Sequence, residues 1–308
     1  MDTIKHMENE RKHEVEDCRT MMEELISLAM SGKRENMAEE ILALQEKSQT
    51  DLFHNSWLML ICSAARAGDV DLVRILIENG ANINIQDWDG KTALMLASEK
   101  GHFAVVQELL KGGADILTED DDGRTALMLA CEKGQHAVVG ELFKKGAIIE
   151  WTDRERKSAL MLASENGHLA TVNVLLQKGA VIDTQDKSHK TALLLASENG
   201  HLAIVQALLQ KNAAIDTQDT SYKTALMLAS ENGHCAVVQA LLQKKAQINM
   251  KDSSGKTALM LATENGHGAV VKALLQKGAN AVLKDINDNN ALDLVNTLVA
   301  RRSRPRKP

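Results

Sequence analysis

The chain has 308 residues, 44% of them apolar but only 2% aromatic, with a formal charge of −6. Length alone would allow two globular domains, but the interior has to be built from Leu, Ala, Val, Met and Ile, and the pattern argues against a β-sandwich. An acidic chain makes a poor general nucleic-acid binder, which needs clustered Lys and Arg against phosphate, and no apolar run reaches the ~18 residues of a membrane span.

In chain order, residues 2–17 are charged and leave no room for a secretory apolar segment. Helices are expected at 15–30 and 36–47, on either side of Ser31-Gly32. Residues 1–54 therefore read as an N-terminal helical cap that shields the end of a stack. A coiled-coil dimer is the competing reading, but its apolar run falls short of the three or four heptads required.

From residue 55 onward the sequence repeats. Thr-Ala-Leu begins at Thr92, Thr125, Thr191, Thr224 and Thr257, with a serine version at Ser158, each start 33 residues or a multiple of 33 from the next. Gly68, Gly101, Gly134, Gly167, Gly200, Gly233 and Gly266 keep the same period. A fixed period of this length means stacked supersecondary units. The expected units are a degenerate first repeat at 55–87, then 88–120, 121–153, 154–186, 187–219, 220–252 and 253–285. A partial C-terminal cap repeat at 286–300 opens on Asn290-Ala291-Leu292, and a basic tail closes the chain at 301–308.

The unit 187–219 shows the local logic. Thr191 is placed to cap a short helix over 192–199, its hydroxyl accepting a first-turn amide, worth ~1 kcal/mol over Ala. Gly200 ends that helix in the left-handed region. A second helix follows from His201, with an apolar stripe of Leu202, Val205, Leu208 and Leu209. Helices of this length are not stable alone, since isolated ones need ~12–15 residues. Each must bury its face against its neighbours, and Ala192 and Ala196 are small enough to let them approach.

The pattern D-x-x-G-x-T-A-L-x-L-A-x-x-x-G-H-x-x-V-V-x-x-L-L-x-x-G-A, recurring over about residues 55–300, resembles the ankyrin repeat. The resemblance implies an all-α solenoid of antiparallel helix pairs with short β-hairpin fingers, stacked in a curved array. It also implies that finger tips and concave helix faces bind other proteins, and that His102, His168, His201, His234 and His267 are helix-capping residues at the turn between helices. Two departures stand out. The family's T-P-L-H proline is alanine throughout, which loses a preset φ at the first helical position. Its histidine is Met95, Met128, Met161, Leu194, Met227 or Met260, exchanging polar links for flexible apolar packing.

Other chemistry finds little support. Gly90-Lys91-Thr92 and Gly255-Lys256-Thr257 imitate the end of a P-loop, but Ile85 and Met250 stand where its first glycine belongs. The histidine row is spaced by helices packed at roughly 8–10 Å, too far apart to converge on one zinc. Four scattered cysteines (Cys18, Cys62, Cys131, Cys235) suit reduced thiols better than a disulfide frame. Asn84 and Asn249 hold the finger position that the family sometimes presents for hydroxylation, and two positions are too few to assign it.

Charge carries the position-specific signal. The residue before each Thr or Ser is basic (Lys91, Arg124, Lys157, Lys190, Lys223, Lys256), and Glu99, Glu132, Glu165, Glu198, Glu231 and Glu264 follow at a fixed distance. Both rows are expected as ladders along the array, either solvated and mutually neutralising or read by a partner. The tips vary where the rest does not: Trp88-Asp89, Asp121-Asp122, Arg154-Glu155-Arg156, then His189 and Tyr222. Arg156, His189 and Tyr222 replace the turn glycine, at a cost if that position needs positive φ. Trp, Tyr and Arg are frequent interface anchors.

The expected protein is a non-catalytic, monomeric scaffold or adaptor that binds other proteins and uses no cofactor or metal. The alternative is a regulatory subunit or inhibitor that sequesters an enzyme or transcription factor. The expected compartment is cytoplasmic, with nuclear access through Arg301, Arg302, Arg304, Arg306 and Lys307 as a further reading of the tail.

Overall fold

The computed structural model describes residues 60–293. The expected helices at 15–30 and 36–47, Cys18, residues 294–300 of the partial repeat and the basic tail lie outside the described residues. Helical residues 60–67 (α1) are followed by α2 (Val70–Glu78), α3 (Ala93–Lys100), α4 (Phe103–Lys111), α5 (Ala126–Glu132), α6 (His136–Lys144) and α7 (Ala159–Glu165). The series continues with α8 (Leu169–Gln177), α9 (Ala192–Glu198), α10 (Leu202–Gln210), α11 (Ala225–Glu231), α12 (Cys235–Gln243), α13 (Ala258–Glu264) and α14 (Gly268–Gln276). The chain divides into two compact units. Within the described residues one comprises 60–130 and 137–148, the other 131–136 and 149–293.

In the first unit α4 packs against both α2 and α3. In the second, α7, α9, α11 and α13 form one row of packed neighbours and α8, α10, α12 and α14 a second, each first helix also packing on the helix that follows it. The rows differ because their sequences do. The first helix of each pair is Ala-Leu-Met/Leu-Leu-Ala with no polar face, so it is enclosed: Ala192, Leu193, Leu194, Leu195, Ala196 and Ser197 of α9 are all buried. The second is amphipathic. In α10, Ile204, Val205, Leu208 and Leu209 are buried on one side. Ile204 takes the place expected of Leu202, because the helix begins at Leu202 and its first residue lies at the partly exposed end.

Helix starts are set by the Thr/Ser hydroxyls. The Thr191 Oγ1 accepts from the Leu194 amide at 3.4 Å, and Thr92, Ser158, Thr224 and Thr257 do the same for Met95, Met161, Met227 and Met260. In two repeats the methionine that stands where the family has histidine is not merely apolar filler. The Met95 and Met260 sulfurs accept from the Thr92 and Thr257 amides at 3.3 and 3.4 Å, closing a reciprocal cap with a weak acceptor.

The histidine row does a different job from helix capping. His201, His234 and His267 precede their helices, yet none of their side chains bonds the helix's own amides. Each Nε2–H instead donates to a carbonyl 36 residues earlier: His102 to Arg66, His168 to Glu132, His201 to Glu165, His234 to Glu198 and His267 to Glu231, at 2.9–3.0 Å. The ring lies over the preceding repeat's turn glycine. At Gly200, with φ +78°, a Cβ would stand 2.6 Å from the His234 ring. That glycine is thus required twice, by the backbone and by the neighbour's side chain.

Several first helices carry a small buried polar residue at the same position of the repeat. Ser98, Ser164, Ser197 and Ser230 are buried, and their hydroxyls have no hydrogen-bond partner among the described residues. Thr263, one period later, relieves the same problem by donating to the Leu259 carbonyl at 2.7 Å. A buried hydroxyl without a partner costs about 1–3 kcal/mol. Urea unfolding is therefore expected to show Ser197→Ala raising the midpoint, while Gly200→Ala lowers stability by at least ~1 kcal/mol; a lower midpoint for Ser197→Ala would mean that the hydroxyl is satisfied in solution.

Candidate protein-interaction surface

The fingers between helix pairs are built around one aspartate each. In the finger of residues 186–190, the Asp186 Oδ1 accepts from the amides of Ser188 and Lys190, both at 2.8 Å. The Asp186 amide also donates to the Lys190 carbonyl at 3.0 Å, which closes the loop. Asp87, Asp120, Asp153, Asp219, Asp252 and Asp285 bond their own fifth residue in the same way. Burial pushes the Asp153 carboxyl above its ordinary range, against the pull of backbone hydrogen bonds from Lys157 and Glu155. Of the hairpin character that the resemblance implies, the described residues keep two isolated antiparallel bridges, Gln86 with Thr92 and Thr152 with Ser158. The tips are carboxylate-centred turns more than strands.

Backbone bonds tie successive tips together. In the first unit the Asp121 amide donates to the Asp89 carbonyl at 3.1 Å. In the second, Lys187 donates to Glu155, Thr220 to Ser188, Ser253 to Ser221 and Ile286 to Ser254, at 2.9–3.1 Å. Lower on the fingers, Asn84, Asp183, Asp216 and Asn249 accept the amides of Asp115, Ala214, Gln247 and Asn280. Asn84 and Asn249 are thus engaged in holding one finger to the next.

The two charged rows are joined rung by rung. Lys91 pairs with Glu99, Lys157 with Glu165, Lys190 with Glu198, Lys223 with Glu231 and Lys256 with Glu264, at 2.5–2.9 Å, always within one repeat and eight residues apart. The lysine stands just before the N-cap and the glutamate at the end of the same short helix, so the two long side chains meet along it. That signal was present in the spacing. The third repeat differs: Arg124 binds Asp120 at 3.0 Å and Asp122 at 2.8 Å, and Glu132 pairs with Lys133. These half-exposed pairs are each worth no more than ~1 kcal/mol.

The other candidates lie at the tips. Trp88, Asp89, Asp121, Asp122, Arg154, Arg156, His189 and Tyr222 are all exposed, Trp88 at 79% and Tyr222 at 58%. Trp88 and Asp89, with Cys62, Arg66 and Asp87, line a groove of about 460 Å³, where Arg66 pairs with Asp87 at 3.3 Å. Arg156, His189 and Tyr222 have φ of +62°, +59° and +60°. The expected strain is therefore present, about 1–2 kcal/mol for each non-glycine residue. Sequence reasoning missed Asn212 and Lys245, which occupy the left-handed turn after the second helix at +63° and +65° where other repeats have glycine.

Nothing at these positions forms a reactive constellation. Burial pushes the Cys62 thiol up to about 12, with Asp87 adding to the shift and Arg66 opposing it, and burial raises the Cys131 thiol as well. Among the described residues no three metal-ligating side chains come together, and no helix is long and apolar enough to cross a membrane.

Helix pairs packed in series, with tips joined by backbone bonds, define a helical repeat protein. The particular kind follows from the comparison with known sequences. Four overlapping stretches, 25–120, 113–186, 146–219 and 193–285, match the family model described as ankyrin repeats in three copies. The chain belongs to the ankyrin-repeat family. The match begins at residue 25, inside the segment expected to be a cap. Among solved structures, the human ASB11 ankyrin repeat domain is similar with a TM-score of 0.66 and 27% identity, covering 71% of this chain and 98% of that one. The L-asparaginase of Dirofilaria immitis shares 37% identity over 51 residues, which is 17% of this chain and 9% of that protein. The chain thus spans less than a tenth of that relative's length.

The Lys256–Glu264 hydrogen bond holds the Lys256 ammonium above the ordinary lysine range, with burial opposing it. A raised folded value means that the contribution is complete below the unfolded lysine pKa of ~10.4 and is lost as pH rises through the folded one. Thermal melts across the alkaline range should show wild type losing this increment and Lys256→Met lacking it; parallel curves would show that the pair contributes nothing in solution.

Proposed function

We propose that the chain is a non-catalytic scaffold or adaptor that holds partner proteins with its finger tips, presented by 33-residue units from 55 to 285. Ankyrin repeats are protein–protein interaction modules, and the open question is which surface of this one meets a partner. One observation supports the tips: the lysine and glutamate rows neutralise each other inside the repeats, whereas the tips stay exposed and carry Trp88, Arg154, Arg156, His189 and Tyr222. A partner at the charged rows would have to break pairs already made. A partner at the tips would not, and the bonded tips need little ordering on binding, which keeps the entropic cost low.

Proximity labelling with mass spectrometry identifies candidate partners, and the most strongly labelled one is then purified and titrated directly. The variant Trp88→Ala/Arg154→Ala/Tyr222→Ala is expected to bind it at least about tenfold more weakly, a loss of ~1.4 kcal/mol. The variant Lys190→Ala/Glu198→Ala is expected to bind as wild type does. The reverse pattern would move the contact to the helix faces and remove the tips from the function.

A further inference from the structure

We propose that the tips of the second unit form a docking edge for an acidic, Glu- and Asp-rich segment of a partner protein, held by Arg154, Arg156, His189 and Tyr222. This rests on the reading that finger tips carry the contact, and adds the chemistry of what they bind.

Three successive fingers place a bulky residue at the one tip position that demands a left-handed backbone. Gly90, Gly123 and Gly255 satisfy that position at +71° to +76°, whereas Arg156, His189 and Tyr222 hold it at +59° to +62°. Asp288 also sits there, but aspartate is one of the few residue types that visit this region routinely. The position is tight as well as strained. At Gly90 a Cβ would lie 2.7 Å from the Asp121 amide, and at Gly255 one would lie 3.1 Å from the Ile286 amide, in both cases on the next finger. The three side chains therefore leave the backbone at the junction of bonded tips, where the Glu155, Ser188 and Ser221 carbonyls accept from the following finger. The residue after each acceptor is Arg156, His189 or Tyr222. They form a row in register, one per finger.

The edge is rich in donors and carries two fixed positive charges, Arg154 and Arg156. Among the described residues neither Arg154 nor Arg156 has an ion pair or side-chain hydrogen bond, while the neighbouring Lys187 is occupied by Glu155 at 3.3 Å. Two unneutralised guanidinium groups suit planar, bidentate carboxylates. His189, the Tyr222 hydroxyl and the exposed Ser188, Thr220 and Ser221 extend the donors along the same edge. Every finger has its turn-closing aspartate, but the exposed tip residues of the first unit are Trp88, Asp89, Asp121 and Asp122, of which Asp122 is paired with Arg124, in a chain of net charge −6. An acidic segment is repelled there and attracted here, which is how complementary charge selects a site. With helices of adjacent repeats roughly 8–10 Å apart, three tips span about 20 Å, a length that about six extended residues cover.

The test uses the purified full chain and a fluorescein-labelled peptide of about eight alternating glutamate and serine residues, followed by anisotropy. Wild type should bind it saturably, more weakly as ionic strength rises. Arg156→Gly/His189→Gly/Tyr222→Gly removes the side chains and relieves the backbone, so it should raise Tm by on the order of 5 °C while weakening peptide binding about tenfold. Absence of saturable binding by wild type, or equal affinity in the more stable glycine variant, overturns the proposal. Arg154→Ala guards against a folding artefact, since it leaves every left-handed residue in place; it should weaken binding severalfold, and unchanged affinity also overturns the proposal. If the peptide fails while the purified partner still depends on the tips, only the acidic chemistry is wrong. If the partner is indifferent to the tips, the broader reading falls.

Discussion

A seven-residue helix cannot hold itself together in water, and this limit governs the rest of the molecule. Forming the first turn fixes several residues for one hydrogen bond, so helices below ~12–15 residues are marginal even with good sequences. The first helix of each pair from α5 to α13 has seven residues. Their stability has to come from neighbours, which explains why these segments have no polar face and why their Ala, Leu and Met side chains are enclosed. It also explains why so many polar groups are spent on fixing one repeat to the next. The histidine ring that bonds a carbonyl 36 residues earlier serves the interface between repeats, not its own helix.

The same constraint separates structural polar groups from free ones. Each finger aspartate satisfies two amides of its own turn, each histidine satisfies a carbonyl of the previous repeat, and each lysine of the five paired repeats finds a glutamate at the end of its helix. These groups recur with the period because each serves the fold within or between repeats. A residue that breaks the period is released from that duty. Trp88, Arg154 and Tyr222 break it at exposed tips, Tyr222 at the expense of a left-handed backbone.

Much of this was legible in the sequence. The 33-residue period, the Thr caps, the turn glycines and the left-handed requirement at positions 156, 189 and 222 could be read because each is a local rule that one residue type satisfies. What escaped were the partners that particular side chains find. The resemblance implies that the histidines cap helices, and only the neighbour's carbonyl reveals their partner. Mutual neutralisation of the lysine and glutamate rows was one of the two readings open from the sequence, and the eight-residue interval inside one copy is where the pairs form. Methionine sulfur as a cap acceptor at Met95 and Met260 could not be foreseen from packing rules, which treat the side chain as apolar.

The strained tips bring the two themes together. At a position with positive φ glycine is both less strained and sterically easier than a residue with a side chain. Gly90, Gly123 and Gly255 show that the fold accepts glycine at this point. Arg156, His189 and Tyr222 stand there in three consecutive fingers, each adding strain. Strain that the surroundings do not require is most readily explained by what the side chain does outside the fold. On this reasoning the period of the chain follows what the fold requires, and the proposed contact is sought at the interruptions, at the tips of the second unit.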